Sequence, residues 1–228
     1  NNPADDPTDT DFPAANIAAT TTESRWQILE ANLSDDVVLL FEFDGLQPID
    51  YFAFAAHNLG TNQRAIRLYG TTDADPSSVS AVYTALVQEL ILSNDTAVLF
   101  RFEEANYTGL KLVMLTSYLD TEELYMSVAF AGKLLVMERK ILVAFTPITM
   151  GRRPNTLTNI SENGKFLGRI VTAELLESAA NFGFMSSDWF REFMDPFIAA
   201  SQTQTFFFAW APISYPLEVG YVWTAATP

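Results

Sequence analysis

Between residues 37 and 130 the hydrophobic positions come in short runs that alternate or cluster, rather than recurring every third or fourth residue. Residues 37–43, 49–56, 65–69, 96–102, 110–116 and 124–130 are rich in β-branched and aromatic side chains. Turn formers separate them at Asp44-Gly45, Asn58-Leu59-Gly60, 73–78, Asn94-Asp95 and 106–109. Within 98–103 polar side chains fall on alternate positions, as a half-buried strand requires. Many short strands with irregular connections predict an antiparallel β-sandwich of the jelly-roll kind. Residues 81–92 interrupt the pattern: Val82, Leu86 and Leu90 recur at helical spacing, and the segment reads as helix or as strand.

Beyond residue 130 the pattern is mixed. Residues 134–137 and 141–145 predict two more strands, 146–168 reads as a polar connection holding Gly151, Pro154, Asn155, Asn163 and Gly164, and 169–176 reads as a strand. Ser186-Ser187-Asp188 offers an N-cap and an acidic first turn to a helix near 188–200. Trp189, Phe193 and Phe197 would form its buried stripe, and Pro196, which lacks an N–H, predicts a kink or restart at Asp195. Two buried strands follow at 206–210 and 219–223. The fold class expected is mainly β: an irregular acidic arm over 1–11, a sandwich over 12–130, and a β-rich α+β unit over 131–228 with one principal helix.

Charge divides the chain at the same place. Residues 1–130 carry 20 acidic and five basic side chains, whereas 131–228 carry eight of each, so the whole formal charge of −15 sits in the first part. Residues 133–169 hold seven basic side chains against Glu138 and Glu162. Such asymmetry suggests two units with different neighbours. The acidic balance disfavours nucleic acid and anionic membranes as partners. No apolar run reaches the roughly 18 residues of a membrane span. The opening Asn1-Asn2-Pro3-Ala4-Asp5-Asp6 has neither a basic nor an apolar region, so no signal peptide is expected.

With no cysteine and one histidine, thiolate chemistry, disulfides and most zinc or Ser-His machinery are excluded. Phosphate-cradling, dinucleotide-binding, zincin and nucleophile-elbow motifs are all missing, and the adjacent carboxylates Glu103/Glu104 point to opposite faces of a strand. No enzyme, cofactor or metal is expected. Asp73-Ala74-Asp75 lacks the spacing of a calcium loop and reads as solvated surface. His57 and Asn58 sit where an apolar strand breaks into a turn, as ligand-facing loop residues or as structural ones. Trp26 either stacks on a sugar or anchors the arm in the core.

Two stretches resemble known families. Phe12-Pro13-Ala14-Ala15-Asn16-Ile17, Arg25-Trp26, and the run from Ile49-Asp50 to His57-Asn58-Leu59-Gly60-Thr61 are similar to galactose-binding-like (discoidin-type) jelly rolls, with their "N…W" segment, "ID" pair and "HNLG" turn. Residues 145–153, 161–169, 189–197, 206–210 and 215–223 together resemble structural proteins of long-tailed bacteriophage tails. The resemblance implies a virion component near the tail tip, of the distal tail protein kind, assembled in the bacterial cytoplasm as a homo-oligomeric ring, a hexamer, alongside other tail proteins. In that ring the assembly contacts fall to 131–228, with Arg152, Arg153, Lys165 and Arg169 as candidates, and the acidic sandwich faces away. The alternatives are a receptor- or carbohydrate-binding protein contacting a host-surface glycan, and a polysaccharide-degrading enzyme.

Overall fold

The computed structural model describes residues 11–28, 36–115, 123–142 and 145–225. Of the expected acidic arm, residues 1–10 lie outside the described residues, as does part of the strand expected over 141–145. Six strands form one antiparallel sheet: β1 (Trp26–Gln27), β2 (Val37–His57), β3 (Ala65–Thr71), β4 (Thr84–Ile91), β5 (Val98–Met114) and β6 (Tyr125–Gly132), in the order β1-β6-β2-β5-β3-β4.

The sheet folds into two layers because β2 and β5 are long and bend together. Residues 37–42 of β2 pair with 109–114 of β5, and β3 and β4 extend that layer; residues 51–54 pair with 98–101, and β6 and β1 extend the other. Register shifts between Glu42 and Gln47 and between Ile49 and Tyr51 mark the corner, where Gly45 takes a left-handed φ of +78°. The Asp44-Gly45 and 106–109 turns expected from sequence are therefore corners inside continuous strands. A turn signal also serves a bend when the partner strand bends with it.

The sandwich core closes between the layers. Leu39, Ile66, Leu110 and Leu112 of the first meet Phe52, Phe54, Val98, Phe100 and Met126 of the second, all buried. Phe41 packs edge-on to Phe52 with ring centroids 5.1 Å apart, across the bend of β2. In the first layer β2 alternates strictly, with Val37 and Leu39 buried and Val38 and Leu40 exposed, so its outer face meets solvent. The second layer is covered on both sides, which is why Tyr51–Ala56 reads as unbroken apolar sequence.

Within 81–92 the structure has strand: β4 completes the open edge of β3, Leu86 and Leu90, four apart, fall on one face as period two requires, and the register shifts let Val87 pack against the core beside them.

The outer cover of the second layer comes from the C-terminal half. Hairpin β9 (Phe206–Ala209) and β10 (Val219–Val222) sets Val219, Phe207 and Ala209 against Ala53, Leu99 and Tyr51, and the Leu99 N–H donates to the Pro216 carbonyl at 3.1 Å. Phe207 and Tyr221 pack on Phe130 with centroids 5.5 and 6.0 Å away. A second hairpin, β7 (Arg152–Ile160) and β8 (Phe166–Leu176), forms a separate two-stranded sheet. It occupies part of the stretch expected to be a polar connection.

Residues 134–137 and 141–142 form no strand. Their main chain is held singly instead, Leu134 N–H by Asp50 Oδ1 at 2.7 Å and Leu142 N–H by the Asn181 carbonyl at 2.9 Å.

The helix begins where expected. Ser186 Oγ accepts from Trp189 N–H at 3.4 Å, α1 (Ser187–Trp189) widens into a π-helical stretch (Phe190–Met194), and α2 (Asp195–Ser201) restarts with Pro196 in its first turn. Its stripe is not a core stripe. Trp189 and Phe193 meet each other at 5.8 Å, Phe197 meets Phe206 of β9, and Phe193 is 43% exposed. The sandwich is already sealed by β9–β10, so nothing is left for that face to cover.

Replacing Phe54 with Ala should therefore lower stability by about 3–5 kcal/mol through lost burial and a cavity. Phe193→Ala should stay within about 1 kcal/mol of the parent. Urea denaturation of both variants gives the comparison; equal losses would place Phe193 in a core after all.

Candidate functional site

Three places in the fold gather chemically capable side chains. The first is the corner after β2. Ala56 has a left-handed φ of 53° just before His57, which turns that ring inward. His57 is buried: Nδ1 accepts the Leu59 N–H at 3.2 Å, so the neutral ring carries its proton on Nε2 and donates to the Thr96 carbonyl at 2.9 Å. The ring also stands edge-on to Phe54, 4.9 Å between centroids. Asn58 Oδ1 accepts from Tyr125 N–H at 2.9 Å and its amide donates to the Glu123 carbonyl, tying the corner to the start of β6. Asp95 accepts from the Gly60 and Thr61 N–H groups at 2.8 and 3.0 Å. A Cβ on Gly60 would lie 2.2 Å from the Asn94 carbonyl carbon, so the turn closes only on glycine.

Trp26 is buried in the core, and the chain before it is fixed by Asn16 Nδ2 donating to the Arg25 carbonyl at 2.8 Å and by the Arg25 guanidinium lying between the rings of Phe12 and Tyr125. Trp26, His57 and Asn58 thus all lie inside the fold. Both ring nitrogens of His57 and both amide atoms of Asn58 are spent on main-chain partners. Asp95, the anchor of the corner, carries no sequence signal beyond its place in an Asn-Asp turn.

The second place is the basic strip. Arg152 and Arg153 stand at the base of β7 on opposite faces; Arg152 Nε lies 3.6 Å from Glu174, and Arg153 is paired with Glu177. Arg169 Nε donates to Thr158 Oγ1 at 3.3 Å, some six residues, or about 20 Å, further along. Lys165 is in the loop at the tip. The four cations are strung along one hairpin rather than gathered in a patch. An open depression of about 460 Å³ lies at the hairpin base, lined by Thr146, Gly151, Arg152, Arg153, Glu177 and Asn181.

Sequence reasoning missed the third place. Trp210 and Tyr215 stack 5.4 Å apart at 15°, Trp210 Nε1 donates to Glu218 at 2.7 Å, and Phe145 joins the group 6.4 Å from Trp210 and 5.9 Å from Phe208. Period two explains the exposure: Phe207 points to the sandwich, so its neighbours Phe206 and Phe208 point away from it. The β-branched Thr156, Thr158 and Ile160, at every second position, were the overlooked signal for β7. Among the described residues, no three His, Cys, Asp or Glu side chains are grouped to hold a metal, and no helix is long and apolar enough to cross a membrane.

No protein-family description matches the sequence, and no curated protein matches it. Several solved structures are similar over about half of the chain. The family 32 carbohydrate-binding module of C. perfringens NanJ, in complex with galactose, shares 12% identity at a TM-score of 0.43, covering 55% of this chain and 88% of that one. A pectin-binding carbohydrate-binding module shares 16% at 0.39, covering 52% and 78%. Reduced XRCC1 bound to the DNA polymerase β catalytic domain shares 12% at 0.45, covering 57% and 92%.

The buried corner makes a pH prediction. Burial holds His57 below its ordinary value of 6.5, against smaller upward pulls from the Thr96 carbonyl and Asp95. The unfolded chain then binds a proton at higher pH than the folded one. The contribution of the neutral ring is complete above pH about 6.5 and is lost as the pH falls below it. Calorimetry between about pH 7 and pH 5.5 should show a melting temperature that falls more steeply for the parent than for His57→Gln. Parallel slopes would remove His57 as the cause.

Proposed function

We propose that the chain is a non-enzymatic structural subunit of a larger assembly, a β-sandwich body joined to a C-terminal half that makes contacts with other subunits. Hairpin β7–β8 carries this reading. Every residue of its two strands except Thr156 and Gly168 is exposed, and Leu157 and Ile170, paired across it, are 63% and 62% accessible to solvent. Phe166 and Leu167 near its tip are each 67% accessible. A lone two-stranded hairpin is marginal in water, and contiguous exposed apolar surface marks an interaction site. The resemblance of 145–153, 161–169, 189–197, 206–210 and 215–223 to bacteriophage tail proteins gives the finer form of the proposal: a tail-tip ring component, six-fold, in contact with other tail proteins in the virion.

Mass photometry of the purified chain at about micromolar concentration tests the assembly reading, since a permanent interface of this kind buries about 2,000 Å² or more. Discrete oligomers without added ligand are expected, and six copies for the tail-ring form. A monomer at every concentration would overturn it.

A second reading is a receptor- or carbohydrate-binding role. The exposed Trp210–Tyr215 stack beside the Glu218 carboxylate favours it, because an aromatic face flanked by a hydrogen-bonding group suits a sugar ring. A glycan-array signal that Trp210→Ala reduces at least about tenfold, a loss of about 1.4 kcal/mol, would support it. A blank array would remove it.

A further inference from the structure

We infer that hairpin β7–β8 joins edge to edge with the same hairpin of a second copy of this chain, β8 of one copy pairing antiparallel with β7 of the next. The inference rests on the assembly reading above and names the partner and the geometry.

Among the described residues the hairpin is a sheet of two strands, nine and eleven residues long, so each strand offers an edge about 30 Å in length with no ladder partner. Natural sheets blunt such edges with lysines, prolines or a covering element. Here Pro154 at the base of β7 is the one proline on either strand, and neither strand carries a lysine. Both faces carry exposed apolar side chains: Leu157 with Ile170 on one, Val171 with the Ile160–Phe166 pair on the other. Strand addition by a partner would satisfy the open main-chain groups and cover these side chains together.

Charge selects which edges meet. β7 carries Arg152 and Arg153 and no acid; β8 carries Arg169 and Glu174, with Glu177 just past its end. Within one hairpin Arg152 meets Glu174 at 3.6 Å and Arg153 meets Glu177. A neighbour's β8 added to β7 in the same register repeats that juxtaposition on the open side, so each arginine is flanked by carboxylates from both copies. A β7–β7 contact offers Arg152 and Arg153 no carboxylate from β7, and a β8–β8 contact, which can set Arg169 against Glu174, leaves both of them out. Direction agrees with charge, because up-down hairpins side by side alternate strictly and every pairing is antiparallel. The contact is heterologous, so repetition closes a ring or runs on as a filament.

Cysteine cross-linking tests this without background, since the chain contains none. Thr158 and Arg169 face each other within the hairpin, so Thr158→Cys in one chain and Arg169→Cys in another mark β7 and β8 at matching heights. Co-expressed under different tags and oxidised, the two should form a mixed disulfide dimer in about tenfold higher yield than either single variant forms with itself. Thr156→Cys with Val171→Cys, a second facing pair, repeats the measurement should the first fold poorly. A homodisulfide of either variant at equal yield would overturn the pairing in favour of a two-fold contact. Absence of any cross-link in both pairs, while mass photometry still shows oligomers, would overturn the inference and leave assembly through another surface. Monomers throughout would overturn the inference and the assembly reading together.

Discussion

The paired ribbon of β2 and β5 is the constraint on which everything else hangs. Its two strands are paired on both sides of the bend, so when one turns the corner at Gly45 the other must turn with it. That shared bend brings the inward side chains of one half of the ribbon over those of the other, Phe41 against Phe52 being the contact nearest the fold. β3 and β4 extend the ribbon at one end and β6 and β1 at the other, so the two layers are one sheet. The buried corner at His57 and Asn58 then keeps the end of β2 in register with the start of β6.

Because the ribbon's second half is apolar on both faces, a sandwich alone would leave Ala53, Leu99 and Phe130 exposed. The β9–β10 hairpin covers them, and in doing so its alternation turns Phe206 and Phe208 outward toward Phe197 and Phe145. The C-terminal half thus has no enclosed core of its own. Of its described residues, only Ile148, Ser201, Val219 and Gly220 are buried. It is organised by the surface of the sandwich and leaves the β7–β8 hairpin and much of the helix uncovered.

This explains which parts of the fold could be read from sequence. The strands of the sandwich were legible because one face or both is buried by partners that are themselves apolar runs, so hydrophobic pattern and structure coincide. The Ser186 cap and the Asp195 restart were legible because they depend on local chemistry, a hydroxyl acceptor and a missing N–H. The burial of Phe193 was misread because a helical stripe reports that a face exists, and says nothing of whether anything covers it. β7 was missed for the complementary reason: on a hairpin without a buried face, Thr156 and Asn159 sit as comfortably as Leu157, and the polar residues resemble a loop. The sites were less legible than the fold. His57 and Asn58 stand out in the sequence because they are polar in an apolar run, and they are polar because the turn's main-chain groups need partners.

The division of charge follows from the same architecture. A body holding the 20 acidic side chains of 1–130 repels its own copies, and that repulsion fades over a Debye length of about 8 Å at physiological salt. The strands of the β7–β8 hairpin, at about 30 Å, span several such lengths. Contacts made along an arm of that reach, whose strands hold three arginines against one glutamate, let acidic bodies stay outside one another's unscreened field, whereas contacts between the sandwiches' acidic surfaces would bring the like charges within it. Arg152 and Arg153 at the arm's base, each already beside a glutamate, show how the arm keeps its own charges balanced. The uncovered apolar positions and the freedom from surplus acid thus belong to the same element, and the surplus of acid belongs to the element whose apolar surface is already spent.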